Sequence, residues 1–140
     1  MFIKQLSVFV ENKMGRLEAI IDTLGKNGIN MRALSIADTT DFGILRVIVD
    51  DTDKAKKSLQ EIGVIAKATD VIAVYIDDKA GGLAEVLRDL TEESIGVEYM
   101  YAFLARDTSK ALMVLKADDE EKAEKVLRAK GIEMLDPKDL

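Results

Sequence analysis

The residues best placed to do chemistry are glycines. Val74 to Leu87 reads VYIDDKAGGLAEVL: an alternating apolar stretch, two acids, then Gly81-Gly82, then a run with helical spacing. Glycine at a strand-to-helix turn lets another group approach the backbone, because no Cβ stands in the way and the first N–H groups of the helix point outward. The group is not a nucleotide phosphate held in a known fingerprint. No G-K-S or G-K-T follows the glycines, and no G-x-G-x-x-G occurs. A tight turn that needs glycine for its own geometry is the plain alternative.

Other reactive side chains are sparse. The 140 residues include no cysteine and no histidine. Disulfides and thiolate chemistry are excluded, and the commonest general base and metal ligand are missing. An enzyme would need convergent carboxylates or a buried lysine, and no such constellation shows. Asp50-Asp51-Thr52-Asp53 and Asp118-Asp119-Glu120-Glu121 read as acid-rich helix starts rather than metal or catalytic sites. The net charge of −6 argues against a nucleic-acid partner. The imbalance lies in the second half: residues 1–69 carry 10 basic and 9 acidic side chains, residues 70–140 carry 10 and 17. No apolar run approaches the length of a membrane span, and the N-terminal MFIKQLSVFVEN alternates like a strand instead of forming a signal-peptide core. These features fit a cytoplasmic protein without a membrane partner.

The glycine turn occurs twice. Shifted by 66 positions, Val10-Glu11-Asn12-Lys13-Met14-Gly15-Arg16-Leu17 falls on Ile76-Asp77-Asp78-Lys79-Ala80-Gly81-Gly82-Leu83. Leu24 then meets Leu90, and Ile29 meets Ile95. After two extra residues near 104–110 the shift becomes 68, and Ala55, Leu59 and Gly63 meet Ala123, Leu127 and Gly131.

The elements that position the turns follow from periodicity. In each copy a strand (2–11, 70–77) leads into a helix (15–27, 81–93). Leu17, Ile20, Ile21 and Leu24 share one helix face, as do Leu83, Val86, Leu87 and Leu90, and Gly28 is a helix stop. Two strands come next (30–38 and 43–50; 96–104 and 110–117), then a helix from each acid cluster, then a short strand (64–69; 132–135). Pro137 marks a frayed C-terminus. The order is β-α-β-β-α-β twice, an α+β class of two ferredoxin-like units, 1–69 and 70–140.

This order, the glycine and leucine at the first strand-to-helix turn, and Gly28-Ile29-Asn30 opening the second strand resemble the ACT domain, a small amino-acid-sensing module. The family's loop runs roughly acidic-or-Asn-x-Pro-Gly-x-Leu; here Met14 and Ala80 stand in place of proline. Two copies cover the chain, as in stand-alone tandem ACT proteins. The resemblance implies a regulatory protein, not an enzyme, that binds a free amino acid without a cofactor. It places the ligand between the first loop of one unit and a strand of a neighbouring unit. A ligand carboxylate would meet the helix start at Asn12, Met14, Gly15, Arg16 and Leu17, or at Asp78, Ala80, Gly81, Gly82 and Leu83. Its ammonium would meet Asn12, Asn30 or Asp78, with strand backbone at Asn30-Met31 or Gly96-Val97. Asn12 and Asp78 have a plainer reading as helix N-caps. The first loop offers more side-chain chemistry, the second a more open backbone.

Tyr99, Tyr101 and Phe103 share one strand face, opposite Met100 and Ala102. By the repeat, Met100 and Ala102 match Leu34 and Ile36 and belong under the helices, so the aromatics face the helix-free side. Such a stripe packs on another sheet, within the chain or across a dimer, or walls a ligand pocket, and with Phe9 and Tyr75 it forms an apolar face that predicts a homodimer. The rival to an amino-acid sensor is a subunit whose main task is to bind an enzyme, as the small subunit of acetolactate synthase does in this family.

Overall fold

The structure is a computed structural model and describes residues 1–38, 41–104 and 110–140. Contacts divide the chain into two units, Lys4–Thr69 and Asp70–Leu140, the second joined by Met1–Ile3. Both are ferredoxin-like.

In the first unit β1 (Ile3–Glu11), α1 (Arg16–Lys26), β2 (Met31–Asp38), β3 (Phe42–Val49) and α2 (Thr52–Glu61) follow in order. The strands lie in the order β2-β3-β1, antiparallel, with Val8 opposite Leu45 and Leu34 opposite Val47. The inward face of β1 and β3 supplies Leu6, Val8, Val10, Leu45 and Val47, and the helices supply Ile20, Leu24, Ala55 and Leu59. Burial of that size drives the fold, at roughly 1.5–3 kcal/mol per large side chain. Helical spacing thus places Ile20 and Leu24 in the core, whereas Leu17 stays 38 % exposed at the open end of α1.

β4 (Ala66–Asp77) is one strand where periodicity suggests two, and the division between units falls within it. The second unit continues with α3 (Gly82–Glu92), β5 (Val97–Ala102), β6 (Lys110–Ala117) and α4 (Glu120–Ala129). Its strand order is β4-β6-β5, and Glu133–Leu135 adds a short bridge beside β4, through Tyr75 N–H to the Glu133 carbonyl and Leu135 N–H to the Ala73 carbonyl. Ile72, Val74, Val86, Leu90, Leu115 and Leu127 repeat the first core. The expected fourth strand at 132–135 is therefore a single bridge.

The acid clusters do cap helices. Asp51 accepts from Lys54 N–H and Asp119 from Lys122 N–H, each at 3.1 Å. The C-terminus is not frayed at Pro137: a single 3-10 turn (Pro137–Asp139) is capped by Asp136, which accepts from Lys138 N–H at 3.1 Å. No described helix is long and apolar enough to cross a membrane.

Candidate functional site

The two glycine turns are built alike. Lys13 N–H donates to the Glu11 carbonyl and Arg16 N–H to that of Lys13; Lys79 and Gly82 do the same with Asp77 and Lys79. Each turn closes on a glycine in the left-handed region, Gly15 at φ 86° and Gly81 at φ 84°, which serves as the N-cap of the helix. That backbone conformation costs other residues about 1–2 kcal/mol. Neither helix start receives a side-chain cap, and a Cβ at either glycine would meet nothing within 4 Å. The cap position is thus Gly15 and Gly81, not Asn12 and Asp78 as the plainer reading has it. Asn12 instead ties its N–H to the Asp41 carbonyl at 3.2 Å. Met14 projects fully into solvent.

What approaches the backbone at Gly82 is the chain itself. A Cβ there would lie 2.2 Å from the Asp77 carbonyl oxygen, so glycine is required by close packing within the turn. The expectation of a more open backbone in the second loop is corrected by this contact. Arg16 occupies the equivalent position of the first loop, its guanidinium 3.9 Å from Glu11 Oε2, beside Lys13 Nζ at 3.4 Å from the same oxygen.

The strand-opening residues sit elsewhere. Asn30 N–H donates to Asp50 Oδ1 at 3.1 Å, and its carbonyl accepts from Asp50 N–H. Gly96 and Asp118 repeat the pair, at 3.0 Å and 2.9 Å. Asn30-Met31 therefore follows the C-terminal end of α1, while Asn12 to Leu17 surround its N-terminal end. The 11 residues between span about 16 Å at 1.5 Å each. Gly96-Val97 and Asp78 to Leu83 are separated in the same way by α3. Within one unit the two predicted ligand groups do not converge; one ligand could touch both only where the loop of one unit faces the strand start of another.

The aromatic stripe lies as its register requires. Met100 opposes the core residue Leu115, so Tyr99 and Tyr101 point to the helix-free face, stacked with centroids 6.5 Å apart. Tyr101 is buried, Tyr75, Tyr99 and Phe103 are partly buried, and Phe9 is 65 % exposed. Burial, reinforced by Glu133 and Asp139, holds the Tyr75 phenol above its ordinary pKa.

Sequence reasoning missed a pair of hollows at the same end of each unit. In the first, the end of β1, one flank of α1, the start of β3 and the stretch after α2 enclose about 520 Å³. In the second, the equivalent elements enclose about 140 Å³. Every residue lining the second has its repeat counterpart lining the first. Phe42, Ile65 and Ala19 in the first hollow correspond to Lys110, Glu133 and Glu85 in the second. Lys110 and Glu133 form an ion pair at 3.7 Å. The available signal was this exchange of apolar for charged residues between copies. Also unforeseen is Glu120, whose Oε1 accepts from Ala117 N–H at 2.7 Å while Oε2 is buried without a hydrogen-bond partner. Burial raises its carboxyl pKa, against the lowering influence of Ala117 N–H and Lys116. Among the described residues no cluster of His, Cys, Asp or Glu could hold a metal ion.

The repeated βαββαβ unit and its glycine turn define a regulatory domain pair, and the chain belongs to that family: the ACT domain pair matches it over residues 1–140. Among solved structures it is similar to protein BT0572 of Bacteroides thetaiotaomicron, at 41% identity and TM-score 0.92, covering 98% of this chain and 94% of that one. The regulatory subunit of aspartate kinase from Thermus thermophilus, in its ligand-free form, shares the fold at 12% identity and TM-score 0.61, with 90% of each chain covered. That of Thermus flavus does so at 15% identity and TM-score 0.63, over 90% and 88% of the two chains. No curated protein sequence matches the chain.

Proposed function

We propose that the protein is a cytoplasmic sensor of a free amino acid, regulatory and not catalytic, that passes binding to a partner as a conformational change. The observation that supports this reading is the ACT pair over the whole of 1–140, each copy presenting an uncapped helix start with open space above its glycine. N–H donors at the positive end of a helix suit a carboxylate. A thermal-shift screen of the full chain against the common amino acids tests it. A ligand at about 100 times its Kd adds roughly 2.7 kcal/mol, on the order of 5–15 °C in Tm for units of this size. No shift with any amino acid would sink the sensor reading.

The second reading is a subunit that regulates an amino-acid biosynthetic enzyme, such as acetolactate synthase, chiefly by binding it. Leu34 and Ile36 on β2, expected under the helices, are 37 % and 49 % exposed and favour it as uncovered apolar surface. The partly buried Tyr75, Tyr99 and Phe103 support assembly as a homodimer; a monomer in sedimentation at micromolar concentration would defeat that assembly.

A further inference from the structure

We infer that the first unit holds its ligand in the hollow between β1, α1 and the stretch after α2, and that this ligand is a free amino acid with a large apolar side chain. The inference rests on the sensor reading and gives it a place and a ligand class. The volume of about 520 Å³ lies in the range of small-molecule sites, whereas the second unit's 140 Å³ lies below it.

The lining supplies both halves of the ligand. Phe9, Phe42, Ile62 and Ile65 border the first hollow and are 65 %, 46 %, 47 % and 81 % exposed, so large apolar side chains remain uncovered there. Isolated exposed apolar residues need no explanation, but several around one concavity do. Of its charged lining residues, Asp22 pairs with Lys26 at 2.9 Å, while Glu11, 3.4 Å from Lys13, faces Arg16 at 3.9 Å. That spacing suits a zwitterion: the ligand carboxylate on the guanidinium, its ammonium on Glu11, and its side chain over Phe9, Phe42 and Ile65. Both groups are solvent-exposed and weakly paired, so separating them to admit the ligand costs little. The second hollow keeps an anion, Asp77, and an aromatic ring, Tyr75, but lacks the cation and the rest of the apolar rim. Gly82 replaces Arg16, and the Lys110–Glu133 pair occupies the positions of Phe42 and Ile65.

Calorimetry on the full chain tests this with leucine, isoleucine, valine, methionine and phenylalanine against glycine, serine, aspartate and lysine. The expected result is binding by a member of the first group at least tenfold tighter than by any of the second. Arg16→Gly and Ile65→Glu each import the residue that the second unit carries at that position. Both are expected to weaken binding at least tenfold with Tm lowered by no more than about 8 °C, so that the chain is still folded at the temperature of the titration, while Glu133→Ile leaves affinity unaltered. Tight binding of an apolar amino acid that survives both first-unit substitutions overturns the hollow and leaves the sensor reading standing. Preference for a small or charged amino acid overturns the ligand class. Failure of every amino acid to bind removes the sensor reading and this inference together. If Ile65→Glu changes only the sedimentation of the chain, the hollow is a contact between copies and the inference is wrong.

Discussion

At the end of β1 the chain carries Glu11 and Arg16; at the equivalent point of the second unit it carries Asp77 and Gly82. The turns between share their hydrogen bonds and their left-handed glycine. Yet the first opens beside a hollow almost four times the volume of the second, the 520 Å³ and 140 Å³ described above. In the second turn the Asp77 carbonyl sits where a side chain at 82 would begin. In the first, a full arginine side chain is accommodated at the same step. The repeat thus preserves what the fold requires, the cap glycine and the core leucines, and varies what lies around the hollow.

The largest expected effect breaks the comparison at that step. Gly82→Ala drives a Cβ into backbone that cannot move independently, and should destabilise the second unit by about 3 kcal/mol. Arg16→Gly should cost the first unit only about 1 kcal/mol, as an exposed helical substitution. Chemical denaturation of both variants decides; equal losses would mean that the turns pack alike.

Gly15→Ala and Gly81→Ala should behave as a matched pair. Each places a Cβ at positive φ with open space around it, so each should cost about 1–2 kcal/mol, and Asn should recover part of that loss. Because the conformation alone exacts this cost, a substitution at either glycine separates turn from ligand site only through affinity measured in the folded fraction. Unequal stability losses would show that one turn is relaxed in solution.

A smaller effect lies where the first helix of each copy ends. Gly28 turns the chain at φ 68°, and its counterpart Ser94 does so at φ 59°. Ser94→Gly removes left-handed strain but loosens the unfolded chain, for a net gain of about 0.5 kcal/mol. Gly28→Ser should cost a similar amount, and thermal unfolding of both variants tests the symmetry.

The smallest effect distinguishes the starts of the last helices, Thr52 and Glu120. Burial raises the Glu120 pKa above its unfolded value. Stability tied to its protonated form is therefore present below the ordinary carboxylate range, near pH 4.3, and is lost as pH rises through the raised folded value. Glu120→Gln should raise Tm at neutral pH, and the advantage should vanish on acidification to about pH 4. A difference that is constant across this range would show that the carboxyl stays ionised throughout.

Much of the fold is legible in the residues because it depends on local periods. Ile20, Leu24, Val86 and Leu90 advertise buried helix faces by their spacing, and alternation places Tyr99 and Tyr101 together opposite Met100. Asp51 and Asp119 announce their helix starts in the same way. What periodicity mistakes are junctions: β4 runs through the boundary between copies, and the final strand shortens to a bridge. Backbone pairing continues or stops there according to which neighbours are available, and the residues in the segment do not record that.

The sequence by itself determined the repeat, the ferredoxin-like order, the place of the glycine turns and the family. These follow from side chains near one another along the chain. Tertiary structure alone decided why each glycine is a glycine: Gly81 for its φ, Gly82 for the carbonyl against it. It also decided that Asn30 lies beyond the far end of α1 from Gly15, and that Phe9, Arg16, Phe42 and Ile65 line one hollow. Those four residues come from separate elements, and only the packing of strand against helix brings their side chains to the same end of the unit.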